Sequence, residues 1–203
     1  MRDGVPLDVS RETQERLERY AELLTKWTAR INLVSKASLS DLWTRHIADS
    51  AQLWTLAPAD PAVWCDIGSG GGFPGLVIGI LARERQPDLD LHLVESDTRK
   101  CAFLSTVIRE CGLRAVVHAE RIEEAMPPAA DVLSARALAP LPALLAFAEK
   151  LRRPEGICLF PKGEQVHKEL EDAACAWQFE YHIHPSRTDE KAAIVEIGAF
   201  ARV

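Results

Sequence analysis

Apolar residues recur at three- and four-residue steps through the first quarter of the chain. Leu17, Tyr20, Ala21, Leu24 and Trp27 mark one face of a helix over residues 8–30, with Ser10 or Asp8 placed to cap it. Asn32-Leu33-Val34-Ser35 breaks that period. Leu39, Leu42, Trp43, Ile47, Ala51, Leu53 and Trp54 restore it over 38–56, and Pro58 and Pro61 end it. From residue 62 the pattern changes to short apolar runs separated by amphipathic stretches. Strands are expected at 62–67, 89–95, 114–118, 131–135 and 157–160. Helices are expected between them at 76–83, 97–110, 140–151 and 168–176. Residues 179–184 and 192–198 read as an antiparallel pair joined by a polar turn over 186–190.

Strands that alternate with helices imply an α/β fold, a parallel sheet with helices on both faces. The helical residues 1–60 are too short to stand alone and read as an N-terminal cap on one compact unit over 61–203. Ligands on such sheets bind at the carboxyl ends of the strands, where strand order reverses. That rule gathers Gly68–Gly72, Glu95, the segment after His118 and Ser134–Arg136 around one crevice.

Composition narrows the classes. The 203 residues are 47% hydrophobic and 27% charged, enough to bury a core. No apolar run reaches 18 residues, so no membrane helix is expected, and the N-terminal residues lack an apolar signal-peptide core. The expected location is the cytoplasm. The five cysteines are scattered and form no C-x-x-C, so they read as buried small hydrophobes rather than a disulfide framework or a zinc site. His182 and His184 share a strand face without a third ligand, and no metal is expected. A net charge of −6 argues against a protein that coats nucleic acid non-specifically. Any nucleic-acid surface must be a patch assembled in three dimensions.

The chemistry centres on Val63-Trp64-Cys65-Asp66-Ile67-Gly68-Ser69-Gly70-Gly71-Gly72-Phe73-Pro74-Gly75-Leu76. It reads as strand, tight turn and helix, with five glycines in the eight residues from Gly68 to Gly75. Such a turn lets bare backbone approach a ligand. Gly70-x-Gly72-x-x-Gly75 matches the dinucleotide fingerprint, and Asp66-x-Gly68-x-Gly70-x-Gly72 matches the first motif of S-adenosylmethionine (AdoMet) methyltransferases. A pyrophosphate wants N–H donors and positive charge at the helix start. Pro74 removes a donor and Asp66 sits before the turn, which favours AdoMet with its ammonium and sulfonium. A dinucleotide-dependent oxidoreductase remains the alternative on this stretch alone.

Other residues add to the crevice. Glu95, at the end of the second strand, can accept both hydroxyls of a ribose, which suits either cofactor. Ile122 and Glu123 follow the third strand, where an apolar–acid pair can cover an adenine and accept its amino group. Arg136 ends the fourth strand and can meet a cofactor carboxylate or a phosphate. Arg45 and Asp49 stand four apart and can pair on a helix face; the functional alternative sets Arg45 and His46 over the crevice as substrate contacts.

These pieces, taken together, resemble the RsmG or GidB family, the bacterial 16S rRNA (guanine-N7)-methyltransferases. The matching segments are Trp27 with Asn32-Leu33-Val34-Ser35, Arg45-His46-Ile47-Ala48-Asp49-Ser50, Asp66–Gly75, Glu95–Lys100, Arg121–Glu124, Ser134–Ala137 and Lys162-Gly163. The resemblance implies a class I AdoMet-dependent methyltransferase fold, Rossmann-like, with an N-terminal helical cap. It implies methyl transfer from AdoMet to N7 of a guanine in 16S rRNA of the small ribosomal subunit. Cofactor contacts then fall on Gly68, Gly70, Gly72, Phe73, Glu95, Ile122, Glu123 and Arg136, and substrate RNA contacts on Arg45, His46, Arg136 and Lys162. Guanine N7 carries an in-plane lone pair and loses no proton, so alignment suffices and no general base is expected. The protein is expected to act as a monomer, without membrane or metal.

Overall fold

Ser10 turns the chain into its first helix. Its Oγ accepts from the Thr13 N–H, and α1 runs over Arg11–Thr28. In this computed structural model residues 8–203 are described. Residues 1–7, with the stretch read as lacking a signal-peptide core, lie outside the described residues. Leu17, Tyr20 and Leu24 of α1 are fully buried, as the helical period requires.

The helix expected over 38–56 is instead four short pieces. They are α2 (Lys36–Leu39), a π-helix over Trp43–Ala48, α3 (Asp49–Ala51) and a 3-10 turn over Gln52–Thr55. The π turn closes i to i+5 bonds, and the Asp49 N–H reaches Thr44 O. The wider turn rotates the following residues off the α-helical face. Ile47 and Ala48 are buried, Arg45 is exposed, and the Arg45–Asp49 pair that the four-residue spacing allows does not form. Asp49 turns to Arg136 instead.

The remaining chain builds one seven-stranded sheet. Its strands are β1 (Val63–Ile67), β2 (Asp90–Val94), β3 (Ala115–His118), β4 (Ala130–Ser134), β5 (Arg152–Lys162), β6 (Trp177–Pro185) and β7 (Ala193–Arg202). Their order is β3-β2-β1-β4-β5-β7-β6. The first five are parallel, and β7 runs antiparallel between β5 and β6. β5 begins five residues before the expected strand. It carries Pro154 and Gly156 beside a register shift against β4, where a missing donor is tolerated.

Four helices cover the sheet: α4 (Gly75–Arg85), α5 (Thr98–Cys111), α6 (Leu141–Leu151) and α7 (Val166–Ala174). Asp97 caps α5 by accepting from the Arg99 and Lys100 N–H groups, and Gly112 ends it at φ +62°. Alternate strand residues point to opposite faces. Trp64, Leu91, Leu93 and Val132 pack with α4, α5 and the cap, so Leu17, Tyr20 and Leu24 share a core with Leu76, Ile80 and Phe103. Cys65, Ile67, Leu133 and Cys158 pack with α6 and α7. Four cysteines are buried as expected, whereas Cys175 is exposed. The order reverses at β1, with β2 on one side and β4 on the other, and the glycine turn leaves β1 at that point.

Candidate active site

The glycine turn is held from beneath. Asp66 is fully buried. Its Oδ2 accepts from the Gly75 N–H at 3.2 Å, and its Oδ1 accepts from Ser134 Oγ at 2.7 Å. Ser134 Oγ in turn accepts from Trp64 Nε1 at 2.9 Å. Burial pushes the Asp66 carboxyl up to about 6, against the pull of those hydrogen bonds. The sequence reading set Asp66 toward a cationic cofactor; the structure uses it as an internal strut that ties β1 to β4 and to the start of α4.

That strut also bears on the two cofactor motifs. The Gly75 N–H is taken by Asp66, the Leu76 N–H by Gly72 O, and Pro74 has none. The α4 start therefore offers a pyrophosphate fewer donors than a helix that begins without a proline and an acid. Glu95 occupies a further loop donor, its Oε2 accepting from the Gly70 N–H at 2.9 Å.

Above the turn lies a cleft of about 370 Å³, lined by Gly68, Gly70, Glu95, Ile122, Glu123, Leu138 and Phe147 among others. Gly68 and Gly70 sit at φ +66° and +54°, a region that favours glycine. A Cβ on Gly68 would stand 2.5 Å from Leu138 Cδ1. Each Glu95 oxygen already accepts one backbone N–H, from Gly70 and from Asp97, and each keeps a lone pair for a ribose hydroxyl. Glu120 and Glu123 add carboxylates to the lining, beside the cations of Lys100 and Arg121. These residues fit AdoMet. Ile122 and Glu123 stand in a turn rather than at a helix start, with Arg121 O accepting from the Glu124 and Ala125 N–H groups.

Three expected cofactor residues lie elsewhere. Gly72, at φ +92°, is buried where Leu76 and Tyr20 fill the space a Cβ would need. Phe73 is buried between Tyr20 and His46, with ring centroids at 5.3 and 4.9 Å. Arg136 lies over the Phe73 ring, 4.9 Å from its centroid. Its guanidinium donates to Arg45 O at 3.1 Å and to Asp49 Oδ2 at 3.3 Å, and meets His46 Nδ1 at 2.7 Å. Arginine only donates, so His46 Nδ1 accepts and its Nε2 carries the proton. Burial, then the charges of Arg136 and Arg45, hold the His46 ring down to about 4. It is a neutral ring at neutral pH.

Arg45, His46 and Arg136 line a second cleft of about 990 Å³, which opens between the cap, α7 and the loop before β7. Ala137, Leu138 and Ala139 line both clefts and form the wall between them. Lys162 lines the larger cleft, but its ammonium is already held. It donates to Ala139 O at 3.0 Å and to Glu169 Oε2 at 2.7 Å, and its side chain is only 8% exposed. Glu169 Oε2 also accepts from the Leu141 N–H at 2.9 Å. The structure thus uses Lys162 to clamp the shared wall. His184, one of the strand-face pair, bonds Glu196 Oε2 at 2.7 Å.

The sequence reading missed Leu138, Glu169, Lys168 and Thr188 of this site. They lie on a loop, a helix and a turn far apart in the chain, and none stands in a motif. Only the fold brings them to one place.

Comparison with known proteins agrees with this geometry. The family model described as GidB, rRNA small subunit methyltransferase G, matches residues 13–195. A protein of Ruegeria pomeroyi called ribosomal RNA small subunit methyltransferase G is 52% identical over 201 residues, covering 99% of this chain and 98% of its own length. Proteins of the same name from Cereibacter sphaeroides and Gluconobacter oxydans are each 49% identical, covering 97% and 96% of this chain and 95% and 98% of their own lengths. Among solved structures, the O-methyltransferase TomG of Streptomyces achromogenes in complex with SAM matches with TM-score 0.59 at 14% identity, covering 91% of this chain and 90% of that one. An O-methyltransferase of Bacillus cereus in complex with SAH matches with TM-score 0.58 at 15% identity, covering 96% and 93%. These two likenesses show the class I methyltransferase fold.

Proposed function

The chain belongs to the rRNA small subunit methyltransferase G family, an AdoMet-dependent methyltransferase family, and we propose that it methylates N7 of a guanine in 16S rRNA. The observation that carries this reading is the pair of clefts that meet across Ala137–Ala139. One is floored by bare glycines beside a carboxylate, and the other is wide enough for a nucleotide and rimmed by Arg45 and Lys168.

AdoMet, when bound, supplies an electrophilic methyl carbon. Glu95 would hold its ribose, Ile122 and Glu123 its adenine, and Gly68 and Gly70 would let it lie against the backbone. Arg136 lines the other cleft, where Phe73 and His46 keep its guanidinium in place for the substrate side. Gly72 supports the turn from below.

The substrate side needs positioning rather than proton transfer. Guanine N7 brings its own lone pair, so the protein must align it and exclude water. His46 is not free to act as a base, because Nδ1 accepts from Arg136 and Nε2 is protonated. Arg45 is exposed at the rim and suited to a phosphate. The base has to leave its stack to enter the cleft. We propose further that one copy of the chain suffices, that no metal takes part, and that the reaction occurs in the cytoplasm.

Labelled methyl transfer to small-subunit particles, followed by mapping of the methylated nucleotide in cells with and without the protein, tests this reading. N7-methylguanosine at one position, lost without the protein, is the expected result. A methyl group on another atom would overturn it.

A further inference from the structure

A methyl group delivered to N7 requires that edge of guanine to face the cofactor. The opposite edge, with its N1–H and 2-amino donors, then faces away and is open to recognition. Flipped and single-stranded bases are commonly read on that edge. Two adjacent donors call for a carboxylate, and adenine, with an acceptor at N1, would be turned away by one.

Four carboxylates line the larger cleft: Asp49, Glu169, Asp172 and Asp189. Asp49 is largely occupied. Its Oδ1 takes Gln52 Nε2 and Thr188 Oγ1, and its Oδ2 takes Arg136. Asp189 Oδ1 takes the Lys191 N–H at its own turn. Asp172 is exposed on α7, and no hydrogen bond holds it among the described residues. Glu169 differs from all three. Lys162 and the Leu141 N–H both donate to its Oε2, so the side chain is fixed at one oxygen. Nothing among the described residues donates to Oε1, and the side chain is 24% exposed in the cleft wall. It is a carboxylate held in place with one oxygen left open.

We propose that Glu169 selects guanine by accepting its N1–H and 2-amino group at Oε1, with Lys162 as the positioning residue that holds the carboxylate. This rests on the guanine-N7 reading above.

The clamp makes a sharp test. Lys162 Nζ and the Leu141 N–H can only donate, so in Glu169→Gln they keep the amide oxygen at the Oε2 position. The amide NH2 is then turned into the cleft, a donor where the carboxylate offered an acceptor. It opposes guanine N1–H and suits adenine N1. Small subunits reconstituted with guanine or adenine at the mapped nucleotide would be methylated by both enzymes, with AdoMet affinity measured alongside. Glu169→Gln is expected to lower kcat/KM for guanine about tenfold to a hundredfold and to narrow or invert the guanine-to-adenine ratio. AdoMet affinity should stay within about twofold, because both bonds to the wall survive. An unchanged ratio would overturn the proposal. If the variant fails to fold, the wild-type enzyme still decides: equal methylation of guanine and adenine excludes a carboxylate reader, and strong rejection of adenine supports one. Formation of N7-methylguanosine with an unchanged ratio removes only this assignment. A methyl group on another atom removes the underlying reading as well.

Discussion

The Arg136 guanidinium meets the His46 ring at 2.7 Å, nitrogen to nitrogen, over the face of Phe73. Phe73 comes from the glycine turn, His46 from the π-helix of the cap and Arg136 from the end of β4. One contact therefore fastens cap, turn and sheet beside the larger cleft. It also fixes the protonation of His46, which is neutral because it is buried next to two arginines.

The His46 ring should not titrate between pH 8 and about 5, and should gain its proton near 4. NMR of ring-labelled protein would report this directly. The ring binds its proton more weakly in the folded chain than in the unfolded one. Stability is therefore lost as pH falls from the unfolded value of about 6.5 toward 4. His46→Gln should flatten that part of the profile of Tm against pH. A ring that titrates normally near 6.5 would show that the contact does not persist in solution.

Gly68 should resist even the smallest side chain. At φ +66°, with Leu138 Cδ1 2.5 Å from an added Cβ, alanine meets both backbone strain and a clash. The strain alone costs about 1–2 kcal/mol. Gly68→Ala should weaken AdoMet binding about tenfold or more by calorimetry. Adding Leu138→Ala should recover part of the loss by relieving the clash, while the backbone term remains. Full recovery would mean that strain at Gly68 contributes nothing.

The sequence made the sheet legible because short apolar runs and capping residues are local signals. Asp97, Gly112 and Ser10 each do locally what their residue types suggest. The smaller cleft, which we propose holds the cofactor, was legible for the same reason, since Gly68, Gly70, Glu95, Ile122 and Glu123 all follow strand ends. The π-helix was not. The apolar period over 38–56 fits an α-helix equally well, and the extra residue per turn depends on Asp49 being drawn to Arg136 and Thr188, 87 and 139 residues away. The state of Lys162 was hidden similarly. A lysine before a glycine looks free until α7 brings Glu169 to it.

Asp66 should matter more for folding than for cofactor charge. Alanine there leaves the Gly75 N–H and Ser134 Oγ without buried partners, at about 1–3 kcal/mol each. Urea denaturation should show Asp66→Ala losing about 2–6 kcal/mol and Asp66→Asn less, since the amide retains one acceptor. The Asp66 carboxyl is raised to about 6 when folded, from about 4 when unfolded. Its stabilising contribution is therefore full below about pH 4 and declines as pH rises through 6. Asp66→Asn should remove that dependence, so its deficit relative to wild type should shrink toward pH 7.5. A deficit that grows over this range would contradict the assigned shift.

Arg45 and Lys162 line the same cleft and should behave in opposite ways. Arg45 is exposed, and no carboxylate pairs with it among the described residues. A phosphate contact made by such a group contributes about one unit to the salt dependence of RNA affinity. Arg45→Ala should therefore weaken RNA binding and lower the slope of log K against log salt by about one. Stability should change little. Lys162→Met removes the buried partner of Glu169 and frees Ala139 O, which should cost about 3 kcal/mol in urea denaturation. Its salt slope should match wild type, because an ammonium already given to Ala139 O and Glu169 releases no counterion when RNA binds. A slope reduced by Lys162→Met as much as by Arg45→Ala would show that the clamp opens and that Lys162 reaches phosphate after all.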